Sequence, residues 1–193
     1  PGAPAHAMVV ADKAKATNSP VFLRGLQTVK GDIVPRGFLE ILSPGHKPVE
    51  FHQGSGRLEL AENIASKTNP LTARVIVNRL WHYHFGTGIV ETPSDFGLNG
   101  ARSTHPELLD HLASELVRQG WHLKALHRQI MTSRAYRMSS QARFARARHR
   151  DDANHLVWRQ NLRRLDAEAI RDSVLTISGR LNPTRGGPSV FPT

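Results

Sequence analysis

The residue types in this chain that most often carry chemistry are its eleven histidines. His82 and His84 are two positions apart on a predicted helix, which places them roughly 200° apart around the helix axis. They cannot face one metal ion while the helix stays regular, and no His-Glu-x-x-His pattern occurs. His84 and His127 fall on apolar stripes, where a histidine is more often a hydrogen-bonded core residue than a ligand. The sequence therefore predicts no metal site.

A second set of polar residues surrounds a long predicted loop that follows the first core helix. A loop of this length in a compact domain is either functional or packed as a surface loop. We therefore predict a candidate binding site near residues 86–105. Its members are Asn78, Arg79, His84, Asp95 and His105. The structural alternative is that Asp95 caps a turn and that Arg79 braces the loop. No nucleophile, base and orienting group can be assigned among them.

Other catalytic patterns are weak or missing. Glu107, His111 and Glu115 follow one another at four-residue steps, so a carboxylate-flanked histidine could resemble a general base. The same spacing is more typical of a solvated helix face with weak side-chain pairs. The chain has no Gly-x-Ser-x-Gly elbow, and the glycines at 186–187 lack the lysine of a phosphate-binding loop. The sequence alone does not indicate a reaction.

The arginine content is the strongest chemical bias of the chain. Lysine and arginine number 26 against 16 acidic residues, which gives a formal charge of +10. Such a charge attracts nucleic acid, anionic polysaccharide or an acidic neighbouring domain. The guanidinium fork suits carboxylate, phosphate and sulfate, so residue type alone does not choose among these partners.

A run of arginines concentrates this charge. The predicted anion-binding residues are Arg143, Arg146, Arg148 and Arg150. The segment 141–150 contains no acid, which favours a solvated, mobile connector over a packed element. Specific DNA binding is disfavoured because no polar recognition face stands out for reading bases. A nucleic-acid-binding helical domain remains the third interpretation.

The elements that must position these residues are mainly helical. A short helix is predicted from Arg57, and a core helix capped by Asn69 runs to about Phe85. Thr104 to Glu107 reads as a capping box that opens a leucine-striped helix. A further helix is predicted over about 122–135, and its apolar stripe is expected to bury Leu123, Leu126, Ile130 and Met131. The last helix starts at Asp166 and is expected to bury Ala167, Ile170, Val174 and Ile177.

The predicted fold is a mainly α, irregular helical bundle with a short β- and loop-rich N-terminal extension. Residues 1–56 carry many Pro and Gly and only short apolar runs, which predict two short strands. Residues 57–182 form the helical core domain, and 183–193 read as a Gly- and Pro-rich tail or linker. Without cysteine the chain has no disulfide and no thiolate metal site. No apolar run has the length of a membrane span.

Several runs resemble one known family. They are Asn69-Pro-Leu-Thr-Ala-Arg-Val-Ile-Val-Asn-Arg-Leu-Trp-His-Tyr-His-Phe-Gly-Thr-Gly88, Thr92-Pro-Ser-Asp-Phe-Gly97, Thr104-His-Pro-Glu-Leu-Leu-Asp110 and Leu126-His-Arg-Gln-Ile-Met-Thr-Ser-Arg-Ala-Tyr-Arg137. Together they resemble the planctomycete-specific C-terminal domain of unknown function that occurs in large exported proteins, often with cytochrome-c-like domains. The flanking runs Arg24-Gly25, Gly54-Ser-Gly-Arg57 and Arg163-Arg-Leu-Asp-Ala-Glu-Ala-Ile-Arg171 look like parts of the same family.

The resemblance implies a setting rather than a reaction. It implies an extracytoplasmic multidomain protein, so we expect the chain to be part of a longer one. Any haem is expected in a separate domain, with no cofactor inside this chain, and the family supplies no catalytic residues to carry over. We therefore predict an accessory or binding module whose partner is an anionic polysaccharide or a neighbouring domain. The alternative is an enzyme domain, a haem-partnered oxidoreductase or a hydrolase, with its site at the 86–105 loop.

Overall fold

The computed structural model describes residues 8–142 and 144–184. Its regular structure is mainly helical, which confirms the predicted fold class. The helices are α1 Arg57–Ala65, α2 Thr72–Phe85, α3 Pro106–Arg118, α4 Leu123–Thr132, α5 Ala145–Arg150 and α6 Ala167–Ile177. The strands are β1 Ser19–Phe22, β2 Lys30–Val34, β3 Gly37–Phe38 and β4 Val49–Glu50. Over these two ranges, every helix is too short or too polar to cross a bilayer.

The N-terminal part forms two small antiparallel hairpins. β1 pairs with β2, and β3 pairs with β4. The structure therefore has four strands where the sequence predicted two, because the partner strand in each hairpin was not predicted. β2 reads Lys-Gly-Asp-Ile-Val and is exposed along most of its length, so it lacks the apolar alternation of a half-buried strand. The apolar run after Phe38 turns into a single 3₁₀ turn at Glu40–Leu42 instead of extending β3.

The predicted cap of the central helix is present. The side-chain oxygen of Asn69 accepts hydrogen bonds from the backbone N–H groups of Leu71 and Thr72, at 2.9 and 3.3 Å. These donors have no partner inside the helix, so the asparagine satisfies them. At the other end, Gly86 adopts a φ of +87° and donates its N–H to the carbonyl of His82 at 2.8 Å. Glycine reaches this left-handed conformation without the strain that a Cβ would add.

The hydrophobic core lies between α2, α3 and α4. Its buried members are Ala73, Val77, Trp81, Phe85, Ile89, Val90, Leu109, Leu112, Ala113, Leu116, Leu126 and Ile130. On α2 and α3 these residues recur at three- and four-residue steps, as the predicted stripes require. The indole of Trp81 stacks on the ring of Phe85 with centroids 4.1 Å apart. Arg74 of α2 also pairs with Asp110 of α3 at 2.6 Å.

Two local predictions on α3 and α4 were wrong. The capping box is not formed, because the hydroxyl of Thr104 donates to the carbonyl of Ile89 at 3.1 Å and no side chain caps α3. The contact ties the start of α3 to the preceding loop instead. α4 ends at Thr132 rather than near residue 135, and its Leu123 and Met131 are about half exposed rather than buried. Only Leu126 and Ile130 of its predicted stripe enter the core.

The C-terminal third corrects two further predictions. Residues 145–150 form α5, so much of the predicted connector is helical although its side chains are largely exposed. α6 begins at Ala167, one residue after the predicted start at Asp166, but it is not the buried helix that the sequence predicted. Ile170 is 45 % exposed, Val174 59 % and Ile177 88 %. An amphipathic pattern reports that a helix has an apolar face, not that a neighbour covers it. The predicted tail lies outside the described residues from 185 onward.

Candidate anion-binding surface

The predicted arginine run lies on and next to α5. Arg146, Arg148 and Arg150 have exposed side chains, and Arg143 lies outside the described residues. Arg148 reaches Asp152 at 3.4 Å, with the two side chains 70 % and 81 % exposed, so water screens this pair strongly. Arg146 and Arg150 form no ion pair within residues 8–142 and 144–184. Their guanidinium groups are thus available to an outside anion.

The loop after α5 is built by two polar side chains. The carboxylate of Asp151 accepts hydrogen bonds from the backbone N–H groups of His155 and Leu156, at 2.9 and 2.8 Å. Asn154 is only 5 % exposed and has a φ of +59°, a conformation that asparagine tolerates better than most residues. Its amide donates to the carbonyl of Arg159 at 2.8 Å and accepts from the N–H of Arg159 at 3.2 Å. The loop is therefore held by internal bonds.

The same loop is fastened to the C-terminal end of α2. The amide of Asn161 donates to the carbonyl of Phe85 at 2.9 Å, and Arg163 donates to the carbonyl of Tyr83. Gln160 approaches the carbonyl of His84 at 3.5 Å. The last carbonyls of a helix have no partner within it, and cationic or amide donors are suited to them. We call these three contacts the α2 clamp, and they fasten the loop that follows α5 to the end of α2.

A groove of about 400 Å³ opens between α5 and this loop. Its lining includes Phe144, Leu156 and Trp158 together with Arg146, Arg150 and Asp151. Phe144 is 70 % exposed and Leu156 61 %, so the groove presents apolar surface to water. The indole N–H of Trp158 donates to the carbonyl of Asp151 at 2.8 Å, which fixes the ring in place. Apolar side chains and free guanidinium groups therefore share one opening.

The positive charge of the chain is concentrated in the part of the sequence that contains this groove. Residues 134–164, which we call the arginine segment, contain nine arginines, two aspartates and no lysine or glutamate. This segment therefore carries seven of the ten excess positive charges of the whole chain. Charges gathered on one surface raise the local concentration of anionic partners more than the same charges spread evenly. Guanidinium groups are suited to carboxylate, sulfate and phosphate ligands.

The residues of the predicted 86–105 site have mostly structural contacts. Asn78 is fully buried, and its amide donates to the carbonyl of Val90 and accepts from its N–H, at 2.9 and 2.8 Å. This pair of bonds fastens the long loop to α2. Gly88 allows the approach, since a Cβ there would lie 2.8 Å from the Asn78 amide. Asn78 thus satisfies a buried backbone segment, as buried polar groups must be satisfied.

His84 is the member of this set with the most unusual surroundings. Its Nε2 lies 2.8 Å from Nδ1 of His127, so a hydrogen bond joins α2 to α4. The ring of Tyr136 packs edge-on at 5.5 Å between centroids. Burial lowers the pKa of His84 below its usual value, and the nearby imidazole of His127 and guanidinium of Arg163 lower it further. The pair therefore favours an uncharged His84.

The remaining members of the predicted site, Arg79, Asp95 and His105, make no contact with His84 among the described hydrogen bonds. Asp95 is exposed and accepts from the N–H of Gly97 at 2.8 Å, so it caps its own turn. His105 bonds its neighbour Thr104 at 2.9 Å, and Arg79 is exposed. Among the described residues, no hydrogen bond or ion pair joins any two of the five. The binding site at this loop stays a prediction, without a shared constellation to support it.

The acid-flanked histidine of α3 also lacks catalytic geometry. Glu115 binds Arg118 through both carboxylate oxygens, and Arg118 holds the pKa of that carboxyl below its usual range. His111 contacts Gln129 at 3.4 Å and remains exposed. In the described part of the chain, no three histidine or acidic side chains are placed to share a metal ion. The face behaves as solvated helix surface.

Sequence reasoning missed the residues that build the groove. The predicted anion-binding residues end at Arg150 and do not include Asp151, Asn154 or Trp158. One signal was available: Asp and Asn side chains often hydrogen-bond to backbone a few residues on, and two of them directly after a basic helix favour an ordered turn. The α2 clamp had no such local signal, because Phe85 and Asn161 are 76 positions apart.

Comparison with known proteins gives one result. A family model described as PSD1, a protein of unknown function (DUF1553), matches residues 56–193, which is more than two thirds of the chain. No curated protein and no solved structure matches the chain. The match covers the three core helices, the α2 clamp and the arginine segment. The chain therefore belongs to the PSD1 family of proteins of unknown function.

Proposed function

We propose that this domain is an accessory binding module that recognises an acidic partner through the arginine segment. The observation that carries the proposal is the exposure of three guanidinium groups on α5, two of which form no ion pair among the described residues, next to a loop that the α2 clamp fastens to the core. A charged surface that served only solubility would not require its neighbouring loop to be fixed by hydrogen bonds. Here the loop behind α5 uses buried Asn154 and the clamp to fix its position.

The wider setting belongs to the same proposal. The sequence resemblance supports an exported, extracytoplasmic protein with several domains, in which haem, where present, belongs to another domain. The partner is then an anionic polysaccharide or a neighbouring domain of the parent protein. Both carry the carboxylate or sulfate groups that guanidinium binds well.

The competing functions have less support. An enzyme at the 86–105 loop would need at least two polar groups converging on one space, and the contacts of Asn78, Asp95 and His105 are separate. Nucleic-acid binding would use the same arginines, but the exposed face of α3 carries the acidic Glu107 and Asp110, which repel a phosphate backbone. The apolar faces of α3 and α4 are buried together in the core.

The test measures affinity for dextran sulfate, a polyanion without sequence or fold. In one variant, Arg146, Arg148 and Arg150 are all changed to Gln. Its matched control changes the exposed Lys13, Lys15 and Lys30 to Gln, so both proteins lose the same formal charge. We expect about tenfold weaker binding for the arginine variant and less than about twofold for the lysine control. Binding of the unchanged protein should also weaken between about 50 and 200 mM salt.

Equal losses in the two variants would contradict the proposal, because binding would then follow net charge and not this surface. A protein that fails to bind dextran sulfate at low salt would contradict it as well. Circular dichroism of each variant checks that the helices remain, which is expected because all six side chains are exposed.

A further inference from the structure

The groove beside α5 differs chemically from the charged surface around it. Phe144, Leu156 and Trp158 supply apolar lining, while Arg146 and Arg150 supply the cations. Asp151 also lines the groove, but its two carboxylate oxygens already accept bonds from backbone N–H groups. A ligand seated here therefore meets mostly apolar atoms and two guanidinium groups.

Resting on the proposed function, we infer that this groove takes an acidic peptide segment that inserts an apolar side chain between its own carboxylates. The apolar lining gains free energy when it is removed from water, and Phe144 and Leu156 are exposed enough to gain it. Arg146 and Arg150 meet the flanking acids. Charge complementarity and apolar complementarity then act on the same short segment.

A polysaccharide fits the groove less well. Each sugar ring carries hydroxyl groups, and a hydroxyl that loses water without gaining a hydrogen-bond partner is costly. The groove offers few such partners, because the indole N–H of Trp158 is used by Asp151 and the Asp151 carboxylate is used by the loop. An apolar side chain makes no demand of this kind.

The groove is also largely formed before a ligand arrives. The indole of Trp158 is held on one side by its hydrogen bond and has the guanidinium carbon of Arg159 5.3 Å from its ring centroid. The loop that carries Leu156 is held by Asp151 and Asn154. A rigid lining loses less entropy on binding, which favours even a short segment.

The experiment compares two fluorescein-labelled synthetic peptides of equal charge. Both consist of aspartate and glutamate around a central pair, which is leucine in one peptide and serine in the other. Fluorescence anisotropy gives the affinity of the full chain for each. We expect the leucine peptide to bind about tenfold more tightly, the gain that burial of part of one apolar side chain provides.

Substitutions in the groove test whether the tighter binding of the leucine peptide depends on it. Phe144→Ser and Leu156→Ser should each reduce the difference between the two peptides to less than about threefold. Neither change removes a charge, so in both variants the binding of dextran sulfate should weaken less than the binding of the leucine peptide. Leu98→Ser is the matched control: its side chain is fully exposed and lies on the 86–105 loop, so the preference for leucine should persist.

Failure of the inference is distinct from failure of the proposed function. If the two peptides bind equally, or if dextran sulfate binds while neither peptide does, the groove does not take an acidic peptide although the arginine segment still binds anions. If Phe144→Ser and Leu156→Ser weaken dextran sulfate binding instead, the groove takes the polysaccharide and the inference is overturned. Loss of all binding to polyanions removes both proposals.

Discussion

His84 connects two helices of the core through one proton. Its Nε2 and Nδ1 of His127 lie 2.8 Å apart, so one ring must donate and the other must accept. An uncharged pair can satisfy this requirement by choosing its tautomers. If both rings carried full charge, two donors would face each other. The contact is therefore compatible with the fold only while at least one imidazole stays neutral.

The pKa of His84 leads to a prediction for stability against pH. Its folded pKa is depressed, so the unfolded chain binds a proton more readily than the folded one. The stabilising contribution is complete above the unfolded value of about 6.5 and is lost as the pH falls through the folded pKa. We expect the urea midpoint of unfolding to decrease as the pH is lowered from about 7 to about 5. This decrease should be smaller in His84→Gln.

The matched control for this prediction is His149→Gln, since His149 is exposed on α5. That variant should keep the full pH dependence of the unchanged protein. An NMR titration of the His84 ring proton gives the folded pKa directly. A titration midpoint at or above the ordinary imidazole value would contradict the assignment.

At the scale of elements, the α2 clamp joins the arginine segment to the core. Asn161 is its centre: the side chain donates to the carbonyl of Phe85 and accepts from the amide of Asn154 at 3.0 Å. Loss of this side chain would leave a helix-end carbonyl unpaired and remove a partner of the buried Asn154. The loop would lose one of its three connections to the end of α2.

We predict that Asn161→Ala loosens the loop while sparing the core. Amide hydrogen exchange should become about tenfold faster or more at Arg159 and Leu156, as loss of about 1.4 kcal/mol of local stability requires. Exchange at Leu116 in α3 should not change. The control is Asn99→Ala, which removes an exposed asparagine from the other long loop. Faster exchange at Leu116 would show instead that the clamp supports the whole domain.

The limits of the sequence are visible in the same elements. The apolar stripe of α2, which includes Val77 and Trp81, was predictable from the sequence, and so was the cap at Asn69. Each depends only on residues within about one helical turn. The capping box at Thr104 failed because a tertiary contact with Ile89 took its hydroxyl. The charged surface was predictable from the spacing of its arginines. The groove was not, because residues on both sides of an unsuspected loop combine to form it.

For the molecule as a whole, stability resides in α2, α3 and α4, while α6 has an apolar face without cover in the described structure. Leu116 is fully buried, whereas Val174 is 59 % exposed. We predict that Leu116→Ala lowers the free energy of unfolding by about 2–5 kcal/mol, the range for a large-to-small change in a packed core. Val174→Ala should cost less than about 0.5 kcal/mol, as surface substitutions usually do.

Urea unfolding of both variants, followed by far-ultraviolet circular dichroism, checks this contrast. Ile130→Ala, another core change, should resemble Leu116→Ala, because Ile130 is 2 % exposed. A cost above about 2 kcal/mol for Val174→Ala would mean that α6 is covered in solution, for example by a second molecule. A dependence of that cost on protein concentration would identify such association.

The long span of the α2 clamp also affects the order in which the parts of the chain can fold. α2, α3 and α4 are neighbours along the chain, so their packing closes short loops and can proceed early. Asn161 contacts Phe85 across 76 positions, and Arg163 contacts Tyr83 across 80. The packing of α2, α3 and α4 can therefore be complete before the clamp fastens the loop after α5 to the end of α2. The loop beside the arginines of α5 is then fixed last, on a core that is already folded.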